Sequence, residues 1–263
     1  MFADARAYER FMGRWSSLVA SKLVDFAHTP ARGRLLDVGS GTGALAFAVA
    51  SKHPAAQLVG IDPSKEYVAY AQSQNRFGNR VSFEVGDAQK LRFADASFDA
   101  CLSLLVFNFI PDPSKALSEL RRVTKPSGSI TAAVWDYGDG MKMLRMFWDA
   151  VVSVDPTAEK ADEKNMPLCR SGELARLWRQ SGLENVDEQA IEIKTRFDSF
   201  KDYWDAFLLG QGPAGAYVRK LAPEKVAALR ADVKRRVSPA SDRQSFTLPA
   251  RVWAVRGSVR GPR

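Results

Sequence analysis

The sequence predicts an α/β protein built on a doubly wound, parallel sheet. Three observations carry that prediction. Short aliphatic runs alternate with capped, amphipathic segments from Arg34 to Tyr137 at the pitch of βα units. A turn with three glycines in five positions, Gly39 to Gly43, follows the first aliphatic run directly. Beyond Tyr137 two further segments, VDEQAIEIKTRF and FTLPARVWAVRG, alternate with the strand period. That C-terminal part does not read as able to fold alone, so its strands are expected to complete the sheet while its helices cover one end. The chain of 263 residues is therefore expected to form one domain over 1–263, with a ligand-binding core over 5–137 and substrate-side helices plus two strands over 138–263.

Each element has a local reason. Residues from about Ala5 to His28 read as helical, broken near Gly13, with Leu18, Val19, Leu23, Val24 and Phe26 at helical spacing and Thr29-Pro30 as the stop. Arg34–Val38 is a strand, and ALAFAVASKH a helix that ends near Pro54. QLVGID is the second strand. SKEYVAYAQSQNRFG is a helix with Ser64 as N-cap and Gly78 just past its end. VSFEVGD and FDACLSLLVFNF are strands, the latter apolar enough to be central. Asp112-Pro113 starts a helix that ends at Lys125-Pro126-Ser127-Gly128, and SITAAVWDY is the fifth strand. MKMLRMFWDAVVSV is an amphipathic helix rich in Met and aromatics, and 155–167 a polar loop. SGELARLWRQSG is a helix with a Ser171 cap, and FKDYWDAFLLG and LAPEKVAALRADVKRRV are further helices.

Composition, 46% hydrophobic and 26% charged, is that of a globular protein, and no run of about 18 apolar residues marks a membrane span. The N-terminus is charged where a signal peptide would be apolar, and the two cysteines, Cys101 and Cys169, stand in no C-x-x-C or Cys/His cluster. Both points predict reduced thiols, no metal site and a cytoplasmic protein. The formal charge of +8 is concentrated: Gly215–Arg263 holds 12 Lys+Arg against 3 Asp+Glu, a local +9 that leaves −1 for the rest. Such a region suits a polyanion, an anionic surface or simply a solvated helix face.

The glycine turn nearly fits two cofactor chemistries. Gly39, Gly41 and Ala44 satisfy G-x-G-x-x-(G/A), the dinucleotide pattern. But Asp37 sits two positions ahead of the first glycine, and a carboxylate there crowds a pyrophosphate, which needs helix-terminal N–H groups and no adjacent anion. It suits a ligand that carries an ammonium group. Asp62 closes the second strand and Asp87 follows the third. Both are carboxylates at strand ends that can accept hydrogen bonds from a ligand.

LLDVGSGTG, VGIDPS, VGDAQKLRFADASFDACLSLL and ALSELRRVTKPSGSITAAVWD occur in that order. Together they resemble class I S-adenosylmethionine-dependent methyltransferases, in particular the subgroup of ubiquinone- and menaquinone-biosynthesis enzymes (methyltransferase type 11). The resemblance runs from about Tyr8 to Tyr137. It implies a Rossmann-like seven-stranded sheet with an antiparallel last strand, S-adenosylmethionine as cofactor and S-adenosylhomocysteine as product. It also implies a cofactor site of Asp37, Gly39, Ser40, Gly41, Gly43, Asp62, Pro63, Asp87, Ala88 and Leu104. Ser40 stands where the family commonly has Cys, and Ser127 replaces a glycine of the K-P-G-G turn.

Further candidates follow from residue chemistry. Tyr8 and Trp15 offer aromatic faces to a sulfonium, and Arg14 a partner for the methionine carboxylate. Asn108, Phe109, Trp135, Trp148, Arg170 and Gln211 are candidates for the substrate pocket, beside Met141, Met143, Met146, Phe147, Trp204 and Phe207. They point to an acceptor that is partly apolar or anionic. Asp136 and Tyr137 are the candidates to take a proton, since His28 and His53 end helices far from the expected site. In-line transfer from a sulfonium depends chiefly on positioning and exclusion of water.

Three other readings were weighed. Amino-base methylation calls for an (Asp/Asn)-Pro-Pro-aromatic motif after the fourth strand, where this chain has Asn108-Phe109-Ile110-Pro111. Neither cysteine follows a proline as C5 methylation of pyrimidines requires, and no RNA-binding module is attached, which argues against nucleic acid as partner. A nicotinamide reductase is opposed by Asp37 and by the lack of a Tyr-x-x-x-Lys pair. A cofactor-binding protein without catalysis remains the third. The sequence leaves the oligomeric state and the accepting atom open.

Overall fold

The structure is a computed structural model that describes residues 4–237 and 243–261. Met1–Ala3 of the charged N-terminus and Asp242 and Arg263 of the basic stretch lie outside the described residues.

The sheet has seven strands in the order β3-β2-β1-β4-β5-β7-β6. These are β1 (Arg32–Val38), β2 (Ala55–Asp62), β3 (Val81–Val85), β4 (Phe98–Leu104), β5 (Thr124–Trp135), β6 (Glu184–Phe197) and β7 (Phe246–Ser258). The first five are parallel, and β7 runs antiparallel to both β5 and β6. The two C-terminal strands thus complete the sheet, as their alternation predicted. The order reverses direction between β1 and β4, so their carboxyl ends splay apart. In open α/β sheets that crevice is where ligands sit.

The central strands are apolar throughout because helices cover both faces: Leu35, Leu36, Phe98 and Cys101 are fully buried. The crossover helices are α3 (Ala44–Lys52), α4 (Lys65–Gln74) and α5 (Pro113–Val123). Ser64 caps α4 by accepting from the Tyr67 N–H, and Asp112 caps α5 from the Lys115 N–H at 2.9 Å, with Pro113 opening the helix.

The N-terminal helix is not broken at Gly13. It runs as α1 (Ala5–Tyr8), a π-helical stretch (Glu9–Gly13) and α2 (Arg14–Ala27). A Cβ at Gly13 would lie 2.5 Å from the Glu9 carboxylate, so glycine permits the wide turn rather than ending the helix. The wide turn lies on the face that looks at the sheet's carboxyl edge.

The C-terminal half contributes α6 (Lys142–Val154), α7 (Glu173–Gln180), α8 (Phe200–Leu208), α9 (Gly212–Val218) and α10 (Pro223–Val237). Helix α9 is absent from the sequence reading, because GPAGAYV holds two glycines and a proline that disfavour helix; its proline stands in the first turn, where it is tolerated. Ser171 does not cap α7. Gly172 takes that position in a left-handed conformation, and the Ser171 hydroxyl donates to Glu188 instead. The segment 155–167 is two short 3₁₀ turns rather than open loop, and it buries Asp162 and Glu163.

Strand β4 stops at Leu104, earlier than its apolar run indicates. Leu105 takes a positive φ of 63°, and Phe107–Phe109 forms a 3₁₀ turn. Strand β5 begins early, at Thr124, so that Lys125-Pro126-Ser127-Gly128 lies within it as an irregularity. There Ser127 has φ 63°, the left-handed region that a glycine would occupy without strain. The Ser127→Gly substitution is expected to stabilise the protein by about 0.5–1 kcal/mol, since relief of Cβ strain exceeds the added freedom of the unfolded chain. The check is a urea titration, in which the midpoint rises at unchanged slope. A lower midpoint would show that the serine hydroxyl contributes more than its backbone costs.

Candidate functional site

A cavity of about 440 Å³ opens at the carboxyl edge of the sheet. Its wall is assembled from consecutive strand ends. The end of β1 and the turn after it supply Asp37, Gly39, Ser40 and Gly41. The end of β2 and the start of α4 supply Asp62, Pro63, Ser64 and Tyr67, and the segment after β3 supplies Gly86, Asp87 and Ala88. Leu104, Leu105, Val106 and Phe109 close the floor after β4. Tyr8, Phe11, Met12 and Ser16 from the N-terminal helix form a roof, and Trp135, Tyr137 and Glu163 stand on the β5 side.

The glycine turn is built for close approach. The N–H groups of Gly39 and Ser40 both donate to the Ile61 carbonyl, at 2.8 and 2.9 Å, which ties the turn to β2. A Cβ at Gly39 would lie 2.5 Å from the Val106 methyls, and φ there is 71°. At Gly41 an added Cβ would meet nothing nearer than 4.0 Å, so that glycine is required by its φ of 51° and leaves backbone open to the cavity. Gly43, at φ 96°, faces the Phe47 ring and opens α3; it does not line the cavity.

Three carboxylates surround this turn. Asp37 is 1% exposed; one oxygen accepts from the Ala46 N–H at 3.1 Å and the other has no partner. Burial pushes its carboxyl up to about 7, with the Ala46 N–H opposing and Asp62 adding. Asp62 accepts from the Gly41 N–H at 3.0 Å and the Ser64 N–H at 2.9 Å. Burial raises its pKa while those two N–H groups lower it. Each of its oxygens retains acceptor capacity toward the cavity. Asp87 is exposed and holds its own turn by accepting from the Gln89 N–H at 2.8 Å.

Two further polar atoms on this wall, Ser40 Oγ and Tyr67 Oη, are buried without partners, as is the free Asp37 oxygen. Buried polar groups are rarely left so. Three such atoms around one turn mark a place that a polar ligand completes. Tyr67 is a residue the sequence reading missed as a site candidate, since its place in the first turn of α4 is also that of an ordinary core aromatic. Its ring stands 5.6 Å from that of Tyr8, whose hydroxyl lies 3.1 Å from Ser16 Oγ and whose pKa burial raises to about 12. Phe11, Met12, Ser16 and Glu163 were likewise missed: the first three share a helix face that depends on the π turn, and Glu163 lies in the presumed loop.

Other candidates lie elsewhere. Arg14 pairs with Asp202 at 3.0 Å and stacks over Trp15, 4.7 Å from its ring, and Trp15 packs edge-on against Phe197. Both anchor the N-terminal helix to β6 and α8 and stay outside the cavity wall. Trp148, Met143 and Phe147 are core: Phe147 stacks on Phe207 at 4.4 Å. Asn108 and Gln211 are buried but not on the wall, and Arg170 is exposed on the surface. Asp136 is also outside, its carboxylate engaged by Arg251 at 2.6 Å and by the Gly138 and Asp139 N–H groups. Tyr137 remains on the wall, with burial holding its phenol neutral well above the usual range. Among the described lining residues there is no Lys, Arg or His.

Comparison with known proteins places these features. Residues 36–132 match the family described as Methyltransferase domain. The chain is 30% identical over 209 residues to malonyl-[acyl-carrier protein] O-methyltransferase of Geobacter sulfurreducens, covering 75% of this chain and 73% of that protein. It is 35% identical over 116 residues to a ubiquinone/menaquinone biosynthesis C-methyltransferase of Desulfotalea psychrophila, which covers 44% of this chain and 45% of that protein. The chain thus spans less than half the length of such quinone-biosynthesis relatives. Among solved structures, phosphoethanolamine N-methyltransferase 2 of Haemonchus contortus with S-adenosyl-L-methionine superposes with a TM-score of 0.60 at 19% identity, covering 98% of this chain and 57% of that one. The [4+2]-cyclase SpnF superposes at 0.59 and 21% identity, covering 94% and 81%, so the fold by itself does not fix a reaction.

The buried carboxyls predict a pH signature of the ligand-free protein. Asp37 and Glu163 are both held up at about 7 by burial, so they remain protonated in the folded chain where the unfolded chain has ionised them. The stability they contribute is complete below about pH 4 and is lost as the pH rises through about 7. Melting is expected about 4 °C or more higher at pH 5 than at pH 8, and Asp37→Asn is expected to flatten that slope. Scanning calorimetry across this range checks it; an Asp37→Asn slope equal to the parent's would contradict the assignment.

Proposed function

The chain belongs to the S-adenosylmethionine-dependent methyltransferases, and from that premise we propose that its cavity binds S-adenosylmethionine and that the protein transfers the methyl group to a small-molecule acceptor. One observation carries the reading. Asp37, Asp62 and Asp87 stand at the carboxyl ends of three consecutive strands around a glycine turn, with orphaned polar atoms between them and no basic group on the described wall. Such a wall repels phosphates and favours hydroxyls, amines and cations.

In this reading Asp62 accepts the ribose hydroxyls, Asp87 with Ala88 meets the adenine amine, and the free Asp37 oxygen and the Gly39–Gly41 backbone face the amino-acid end. Pro63 and Leu104 add apolar contacts, and Tyr8 and Tyr67 bring aromatic faces near a positive charge. The bound donor supplies an activated methyl group on a sulfonium. The residues of this chain bind, orient and keep water out, which suffices for most of the acceleration of such a displacement. With the ribose and adenine groups on the β2–β3 side in this reading, the acceptor belongs on the β5 side, beside Trp135 and Tyr137.

The names of the two relatives support a metabolite acceptor. So does the fate of the basic C-terminal arginines. Three of them, Arg251, Arg256 and Arg260, are paired with Asp136, Asp187 and Glu184, which reduces the cationic surface left for a polyanion. Two buried free thiols suit a reducing, cytoplasmic setting, and no helix among the described residues is long and apolar enough to cross a membrane.

Titration calorimetry with S-adenosylhomocysteine tests the reading. The parent protein is expected to bind, Asp62→Ala to bind at least about tenfold more weakly through loss of a two-point acceptor, and parent affinity to be about tenfold weaker at pH 6 than at pH 8. The last follows because Asp37 must give up its proton before it meets an ammonium group. No binding at either pH, or full binding by Asp62→Ala, would defeat it.

A further inference from the structure

Among the described residues, Glu163 is the one carboxylate that lines the cavity from the chain beyond β5. It is 4% exposed, and its Oε2 accepts from the Trp148 indole N–H at 2.8 Å. The segment that carries it is fastened from below. The adjacent Asp162, also 4% exposed, makes a two-point ion pair with Arg145, both contacts at 2.7 Å. The same carboxylate accepts from the Lys164 N–H at 2.9 Å and so shapes the turn. Arg145 also donates to the Tyr137 carbonyl at 3.2 Å. One guanidinium therefore fixes two pieces of the cavity wall, the Tyr137 strand end and the Glu163 turn.

Nothing in the core requires a carboxylate at this place. A glutamine would accept from the Trp148 N–H equally well, without the cost of burying a group that can ionise. The cation nearby, Arg145, is already taken by Asp162 and by Asp149. Facing Glu163 are Arg145, Asp162, Tyr137 and Cys169, of which only Arg145 favours its charged form.

We propose that Glu163 meets the accepting group of the substrate and takes its proton, and that the substrate is a neutral, largely apolar molecule with one protic group of the phenol, enol or amine class. The inference rests on the reading of this cavity as a methyl-transfer site. The cavity that Glu163 lines also carries Trp135, Phe109, Ile110, Phe11 and Met12, surfaces that pair with an apolar body. An anionic acceptor would enter a wall that carries Asp37, Asp62, Asp87 and Glu163 and, among the described residues, no cation. In the step, a lone pair of the accepting atom forms the bond to the methyl carbon while the carbon–sulfur bond breaks and leaves its electrons on sulfur. The proton of the accepting atom passes to the Glu163 carboxylate and from there to water. Burial holds Glu163 at about 7, so that near neutral pH it is poised both to receive and to release that proton.

Calorimetry with S-adenosylhomocysteine comes first, on the parent, Glu163→Gln and Trp148→Phe. Binding by all three shows intact folds and a working donor site. The loaded proteins are then titrated with 2-naphthol, 2-naphthylamine and 2-naphthoate, which share one skeleton. The parent is expected to bind naphthol and naphthylamine at least tenfold more tightly than naphthoate, and Glu163→Gln to narrow that preference severalfold, the other three carboxylates keeping the remainder. With labelled S-adenosylmethionine kept saturating at every pH, so that the Asp37 dependence of donor binding drops out, transfer to 2-naphthol is expected to rise with pH through about 7 in the parent. It should be slower and without that rise in Glu163→Gln, and Trp148→Phe should move the rise to higher pH. Naphthoate bound as tightly as naphthol, no naphthol binding, or an unchanged pH profile in Glu163→Gln would overturn the proposal while leaving the donor site standing. Failure of S-adenosylhomocysteine to bind the parent would instead overturn the reading on which it rests.

Discussion

The reversal of strand order between β1 and β4 is the constraint on which the rest of this molecule depends. It parts the carboxyl ends of the two central strands and leaves a crevice that no crossover helix fills. The turn after β1 must then pass beneath that crevice without side chains in the way. Gly39 abuts Val106, and both its N–H and that of Ser40 are committed to Ile61 on β2. With the turn pinned to the second strand, Asp37 and Asp62 face one space. Neither carboxylate has a cation beside it, and one Asp37 oxygen and two hydroxyls on the same wall lack partners. The sheet spends stability here, and a ligand with donors in matching places recovers it.

The C-terminal half answers a different need. A parallel sheet of five strands would end at β5 with an open edge, and β7 and β6 cover it. The same segment returns across the carboxyl edge through α6 and the turns after it. There the buried Arg145–Asp162 pair does what an apolar contact cannot. A guanidinium fixes direction as well as distance, and here it orients a strand end and a turn at once. Aromatic packing supplies the bulk of the remaining hold: Phe147, Phe207, Tyr203 and Phe197 form one chain of ring contacts that runs toward Trp15 in the N-terminal helix. Roof and floor of the cavity are therefore part of one core.

How much of this was legible in the sequence follows from the range of the interactions involved. The strands, their capped helices and the carboxylates at the strand ends were legible, because period, caps and glycine positions are local signals. Asp62 and Asp87 could be placed because a strand's end fixes its neighbour's position. Arg14, Trp15 and Asp136 read as site residues from their chemistry, but each has a distant partner, Asp202, Phe197 or Arg251, that holds it away from the wall, and Trp148 stands behind the wall on Glu163. No spacing rule in the chain announces those pairs. Tyr67 and Glu163 failed for the opposite reason: their neighbours in sequence look like ordinary helix and loop, and only the fold brings them to the cavity.

The wall's charge bears on what the site can accept. Four carboxylates with no basic partner on the described wall make a field that a negative substrate must oppose at each step of entry. Two of the four are held up at about 7 and so are partly neutral when empty. A cationic donor bound beside Asp37 draws that group toward its ionised form, since an ammonium nearby favours the carboxylate. In the proposed reading the donor's sulfonium faces the acceptor side, where positive charge favours the ionised form of Glu163. On that reading, filling the donor side would hold Glu163 as the carboxylate that can take a proton, through the field of a single buried space and without movement of the backbone.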